Sequence, residues 1–212
     1  LIGLVGSEMC IRDSNGVDRT AFEAGDMHFA DLDGDHFITE ADRMVIGDPN
    51  PDIYGNIFTS VQYRRLRLDV RFNYSLGNDI YNYTRQQLES GSRFMNQTTA
   101  LARRWQMEGQ QTDIPRLSFQ DPMGNSRFSD RWIEDGSYLR LKTVTLSYDL
   151  PVSSTFLQGL QFWVQANNVV TLTRYLGSDP EGTALSAVLG QGIDAGSLPQ
   201  SRNFMVGIKI NL

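Results

Sequence analysis

Two residue types that most often build reactive sites are nearly missing from this sequence: it has one cysteine, Cys10, and two histidines, His28 and His36. A single cysteine excludes an intrachain disulfide framework and any CxxC metal site. Two histidines leave little for a zinc centre or a histidine-dependent proton relay. Basic charge is short as well. Lys and Arg number 19 against 25 Asp and Glu, a formal net charge of −6, which argues against nucleic acid as a partner. No apolar run reaches the roughly 18 residues of a membrane-spanning helix. There is no Ser/His/Asp set, no nucleophile elbow and no phosphate loop. Glu134 and Asp135 are sequence neighbours, so on a strand their carboxylates point apart. The residues give no reason to expect an enzyme.

What is present is alternation. The 202–212 stretch, RNFMVGIKINL, sets Phe204, Val206, Ile208, Ile210 and Leu212 against Asn203, Met205, Gly207, Lys209 and Asn211. A period of two puts these sets on opposite faces of a strand, and the stretch is about as long as a tilted strand needs to cross a bilayer. Residues 65–76 are clearer still: Leu66, Leu68, Val70, Phe72, Tyr74 and Leu76 oppose Arg65, Arg67, Asp69, Arg71, Asn73 and Ser75. Residues 56–64 place Ile57, Thr59, Val61 and Tyr63 on one face, and the joint at Arg64–Arg65 predicts a hairpin. In residues 137–150, Val144, Leu146, Tyr148 and Leu150 share a face while Leu139 and Leu141 have the opposite parity, which predicts a bulge or a change of environment near Lys142 and Thr143. Residues 160–172 alternate again. Between the second and third of these strands, residues 84–106 have a fair helical pattern with Leu88, Phe94, Leu101 and Trp105 as anchors.

The joints alternate in length. Those at 64–65 and 151–159 are short, while 77–136 and 173–201 are long, the rhythm of a transmembrane barrel with short periplasmic turns and long extracellular loops. Hydrophobic residues at 40% and a mean hydropathy of −0.34 fit this as well as they fit a soluble protein, since half of each barrel strand faces a polar lumen. The fold class expected is therefore all-β: about five antiparallel strands from the C-terminal part of a transmembrane β-barrel, with long extracellular loops and a short helix in one of them. Residues 54–212 form the barrel strands and loops, and residues 15–53 an extracellular acidic loop. Residues 1–14, LIGLVGSEMCIRDS, make a poor signal peptide and resemble translated adapter read-through; they are set aside as a non-native leader, and the chain is read as the tail of a longer protein.

The acidic loop carries DLDGDHFITEAD at residues 31–42. Asp31, Asp33 and Asp35 fall at the first, third and fifth ligand positions of a calcium loop, the Phe37 carbonyl at the seventh, Thr39 at the ninth and Asp42 at the twelfth. A hard cation needs several oxygens, and alternate carboxylates on a tight turn supply them. His36 stands at position six, where the sharp turn favours glycine, and Asp42 is shorter than the bidentate glutamate of that loop. The alternative is a solvated acidic turn.

Residues 25–51, 75–82, 112–116, 129–151 (SDRWIEDGSYLRLKTVTLSYDLP), 166–181 (ANNVVTLTRYLGSDPE) and 192–212 resemble, in order and spacing, the C-terminal blocks of the SusC/RagA-type TonB-linked outer-membrane transporters. The resemblance implies a plugged barrel of about 22 strands. It implies a Gram-negative outer-membrane location, a SusD-like surface lipoprotein as lid, energy from TonB, and import of oligosaccharides or peptides. Arg65, Arg67, Asp69, Arg71 and Lys209 would then line a lumen or pair with the plug, a solvated barrel interior being the plainer reading. Tyr63, Tyr74, Tyr138, Tyr148 and Phe204 suit an interfacial girdle. Tyr81, Tyr83, Trp105, Trp132 and Tyr175 would stack on sugars, packing of the loops being the plainer reading. Asn73, Asn82 and Asn96 begin glycosylation triplets, which carry little weight in a bacterial protein. The competing reading is a soluble, extracellular calcium-binding β-sandwich or adhesion module, whose sheets bury the same alternating faces against each other.

Overall fold

The structure, a computed structural model, describes residues 2–3, 24–152, 158–182 and 190–211. The leader expected at residues 1–14 (Ile2–Gly3 apart), with Cys10, lies outside the described residues. So do parts of the joints expected at 151–159 and 173–201, and the terminal Leu212. In chain order the strands are β1 (Ile2–Gly3), β2 (Met44–Val45), β3 (Ile53–Tyr63), β4 (Leu66–Leu76), β5 (Asp79–Asn82), β6 (Ile133–Asp135), β7 (Tyr138–Leu150), β8 (Gly159–Thr173), β9 (Ile193–Asp194) and β10 (Asn203–Asn211). One short helix, α1 (Tyr83–Glu89), follows β5. The chain divides into two compact units. One comprises Leu1–Pro49, Asp79–Glu134 and Thr183–Ser197; the other comprises Asn50–Asn78, Asp135–Gly182 and Leu198–Leu212.

The second unit is a five-stranded antiparallel sheet in the order β10-β8-β7-β4-β3, an up-and-down meander in which each strand pairs with its predecessor. The five strands are those that alternation predicts. The hairpin at Arg64 and Arg65 also forms, with Arg64 held at φ 55° to close it. Register makes the alternation collective. Val61, Leu68, Leu146, Val164 and Val206 stand in one row across all five strands, and Tyr63, Leu66, Tyr148, Phe162 and Ile208 in the next row of the same face. The reverse face carries Ser60, Asp69, Thr145, Gln165 and Met205, then Gln62, Arg67, Ser147, Trp163 and Gly207. The apolar rows are exposed, from Leu68 at 37% to Val206 at 76%. A sandwich would bury them, so the β-sandwich reading fails. An apolar face that meets no protein is what a bilayer-facing barrel wall presents.

The expected bulge is present. One step on β4, Arg71 to Phe72, lies opposite the step from Leu141 to Thr143 on β7, which in turn lies opposite Asn167 to Val170 on β8. The insertion around Lys142 switches parity, so Leu139 and Leu141 join Val144 and Leu146 on the apolar face. On β8 the distortion is taken up at Asn168, at φ 52°. A glycine is required on the reverse face: a Cβ on Gly207 would lie 2.4 Å from the Trp163 ring, which lies across it from β8. Of the expected girdle, Tyr63, Tyr74 and Tyr148 share the apolar face, and Phe204 sits on it further along β10. Tyr138 does not, because it stands in register with Ser75 and Thr173 on the polar parity.

The first unit has a three-stranded sheet, β6-β5-β9, with β5 and β9 parallel. The helix expected over 84–106 is cut to α1. Asn82 caps its start by accepting the Arg85 N–H at 2.9 Å, and the chain turns away through Ser90 and Gly91, the latter at φ 60°. Leu101 returns in a 3-10 turn (Thr99–Arg103) and is buried, whereas Phe94 is exposed. Trp132 is wholly buried, with the Arg131 guanidinium 4.5 Å and that of Arg85 5.7 Å from its ring centroid. Tyr175, in the other unit, is buried too. Neither ring is free to stack on a sugar.

If the apolar face meets lipid, Leu146→Arg at its centre is expected to lower barrel stability by about 2–4 kcal/mol, while Thr145→Arg next to it, facing the other way, changes it little. Urea unfolding of the full-length receptor from lipid vesicles reads this directly; equal effects would reject the facial assignment.

Candidate metal loop and polar face

The acidic loop is held by its own carboxylates. Asp31 accepts the N–H groups of Gly34 at 2.7 Å and His36 at 2.9 Å. Asp33 accepts that of Asp35 at 3.1 Å, and Asp35 that of Phe37 at 2.7 Å. Gly34 and His36 both take positive φ, 76° and 69°, and so supply the tight turn the sequence demands. Histidine is a poorer fit there than glycine, though short polar and imidazole side chains tolerate the left-handed region better than branched ones. The result gathers one oxygen each from Asp31, Asp33 and Asp35 within 4.8 Å of one another. Three oxygens at that limit lie about 2.8 Å from their common centre, so a contraction of a few tenths of an ångström suits a calcium ion at about 2.4 Å. The crowding shows in Asp33. The Asp35 N–H draws its pKa down, but desolvation and the charges of Asp35, Asp42 and Asp31 together raise it above 3.8. A divalent cation would relieve that repulsion.

The other three sequence-selected positions serve the loop's closure. Asp42 is wholly buried and bridges the loop's two ends, accepting the Leu32 N–H at 2.8 Å and the Thr39 N–H at 2.6 Å. Thr39 accepts the Ala41 N–H at 3.1 Å, completing a reciprocal cap on the 3-10 turn Glu40–Asp42. Phe37 gives its N–H to Asp35 and exposes its ring. Beneath this closure, Met27 and Phe29 are buried together with Ile38 against them.

On the polar face of the sheet, Arg67 pairs with Asp69 at 3.0 Å, and the Arg71 guanidinium lies 5.8 Å from the Phe58 ring centroid. Gln165 donates to Asn167 at 2.9 Å and Asn167 to Asn203 at 2.6 Å, a ladder running across β8 and β10. These contacts make the reverse face of the sheet polar, as the lumen side of a barrel wall is.

Sequence reading missed the strongest polar cluster. Arg140, on the polar parity of β7, is 2% exposed. It donates to Thr171 at 2.9 Å, to Glu181 at 2.6 Å and to Asp179 through Nη2. Lys142 also reaches Glu181, at 3.2 Å. Burial pushes the Asp179 carboxyl up, but Arg140 and the N–H groups of Gln200 and Glu181 outweigh it and hold the group below its ordinary value. The sequence shows an arginine between Leu139 and Leu141, but its partners at 179–181 lie too far along the chain for a local pattern to join them. Asn82 was noted for its glycosylation triplet. It is 2% exposed, and its amide caps α1 and donates to Glu134 at 3.2 Å, so it is not open to modification.

No protein-family model matches the chain. Over 190 residues it is 35% identical to TonB-dependent receptor P3 of Formosa agariphila, a match that covers 86% of this chain and 18% of that protein. TonB-dependent receptor P26 of the same organism is 28% identical over 205 residues, covering 93% of this chain and 20% of the receptor. The chain thus spans only a fifth or less of the length of these curated relatives. Among solved structures, the RagAB peptide importer in its open-open state superposes with a TM-score of 0.76 at 23% identity, across 100% of this chain and 22% of that one. The RagAB peptide transporter gives 0.75 at 24%, across 99% and 22%. At these identities the structural likeness speaks for the fold.

Asp42 sets an acid limit on the loop. The N–H groups of Thr39 and Leu32 lower its pKa below 3.8 in the folded state, so its contribution is complete above that value and disappears as pH falls through the lowered one. Hydrogen exchange of the Leu32 and Thr39 amides is expected to lose protection only on acidification below pH 3.8, and to lose it at neutral pH in Asp42→Ala. Protection indifferent to both would show that Asp42 does not close the loop.

Proposed function

We propose, for a chain that belongs to the SusC/RagA-type TonB-dependent receptors, that it forms the C-terminal barrel wall and extracellular loops of an outer-membrane importer. The carrying observation is the five-strand register, which yields one apolar exposed face for lipid and one polar face for a lumen. The substrate is an oligosaccharide or a peptide. A SusD-like lipoprotein captures it at the outer surface, and TonB supplies the energy through a part of the receptor outside these residues. The wall itself performs no chemistry on the substrate. Deleting the parent gene is expected to abolish growth on an oligosaccharide or peptide while growth on its monomers persists. Undiminished growth on oligomers of both classes rejects the importer.

The acidic loop binds a hard divalent cation, calcium by preference, through Asp31, Asp33 and Asp35, with Phe37, Thr39 and Asp42 completing or bracing the site. Support comes from the three gathered oxygens and the raised Asp33. A bound ion would remove the mutual repulsion and stiffen residues 31–42 at the outer surface. In the full-length receptor, calcium at about millimolar concentration is expected to slow hydrogen exchange across residues 31–42, an effect lost in Asp31→Asn/Asp33→Asn. Exchange unchanged by calcium leaves the solvated acidic turn as the correct reading.

A further inference from the structure

One aromatic pair in the first unit stands in water. Phe94 is 94% exposed and Phe119 60%, yet their ring centroids lie 5.1 Å apart with the planes tilted by 35°. Tyr81, by contrast, meets Phe128 edge-on at 71° and is half-buried. Two neighbouring rings left uncovered make an apolar plate with a free face.

The backbone holds this plate under strain. Gln120 and Asp121, directly after Phe119, take positive φ of 63° and 47°. Two successive non-glycine residues in that region are uncommon, and such strain gathers at ligand sites. It is sustained from both sides. The Gln120 N–H donates to the Ser92 carbonyl at 2.9 Å, tying the segment that carries Phe119 to the one that carries Phe94. The Asp121 carboxylate accepts the N–H groups of Asn125 and Ser126, each at 2.8 Å.

The two rings border a cavity of about 560 Å³, a volume within the range of small-molecule sites. The rest of its lining is polar: Ser92, Arg93, Gln120, Asp121 and Ser126. Among the described residues, the Arg93 guanidinium and the Gln120 side-chain amide have no hydrogen-bond or ion-pair partner. This lining selects among occupants. An anchor residue of a protein partner needs a dry, well-packed pocket, and here the two rings are the only apolar groups. A pyranose is amphiphilic in the matching way: its axial C–H groups make an apolar face, and its hydroxyls project around the edge. The face lies on an aromatic ring while guanidinium and amide planes reach the hydroxyls.

We infer that Phe94 and Phe119 form a stacking platform for an oligosaccharide, with Arg93 and Gln120 hydrogen-bonding its hydroxyl rim. Asp121 is the positioning residue that holds the turn. The platform takes the role first expected of Trp132 and Tyr175, whose rings are buried. It rests on the importer reading and narrows the substrate from oligosaccharide or peptide to oligosaccharide.

The test uses the full-length receptor in detergent micelles, on arrays of defined neutral and acidic oligosaccharides and of random hexapeptides. The unaltered receptor is expected to bind one or more of the oligosaccharides. Against those, Phe94→Ala/Phe119→Ala is expected to weaken affinity about tenfold, as loss of two stacked rings predicts, and Phe94→Trp/Phe119→Trp to retain it. Retention by tryptophan separates stacking from a structural role; if tryptophan fails as alanine does, the platform is rejected. If the double alanine variant binds oligosaccharides undiminished, the platform is rejected and the importer reading stands. Binding confined to peptides rejects the platform and leaves a peptide importer. Binding to neither class withdraws the importer reading, and the platform with it.

Discussion

Backbone hydrogen bonding in a medium without water is the constraint on which the rest of this structure depends. A strand placed in hydrocarbon must pair its N–H and C=O groups with neighbours, so it can exist only within a sheet whose register is fixed. Once register is fixed, the period of two stops being a property of single strands. A row such as Val61, Leu68, Leu146, Val164 and Val206 is assembled from five separate strands, yet it is uniformly apolar. A one-residue slip of β7 would carry Thr145 or Ser147 into that row and turn Leu146 to the polar face behind it. The sheet is thus specified most strongly on its exposed apolar face.

The loops answer to a different rule. They contain little apolar core and hold themselves with carboxylates that accept backbone N–H groups. Asp31, Asp33, Asp35 and Asp42 do so in one turn, Asp121 takes the N–H groups of Asn125 and Ser126, Asp179 those of Glu181 and Gln200, and Asp194 those of Gly196 and Ser197. An ionised oxygen makes a stronger acceptor than a carbonyl. The net acidity of the chain is therefore a building material as well as a surface property. The same residues that shape the turn at Asp31 through Asp35 also leave their remaining lone pairs close together, so local folding and cation chemistry draw on one set of atoms.

The strands, the hairpin at Arg64 and the bulge at Lys142 were legible in the sequence because each is a local pattern with period two, or an interruption of one. The turn of the acidic loop was legible through spacing, since Asp31, Asp33 and Asp35 are near neighbours in the chain. Two features were not. The helix expected over 84–106 shrank to Tyr83–Glu89 because Gly91 ends it with positive φ; Leu101 is buried from a separate 3-10 turn, and Trp105 lays its ring against Gly25. The Arg140 cluster was invisible because its partners lie about forty residues away, and no local period links an arginine to a distant carboxylate. Loop aromatics carry a related ambiguity: a tryptophan in a loop reads alike whether it faces a ligand or, as Trp132 does, lies buried against two guanidinium groups.

The bulge has a geometric side. Across β4, β7 and β8 the same rung is spanned by one, two and then three residue steps. A wall whose strands cover one interval with unequal lengths of chain cannot stay flat; the longer strands must bow away from the shorter. Curvature is in this sense encoded by insertion. The left-handed Asn168 and the inserted Lys142 act like darts in cloth, taking in fabric along one line.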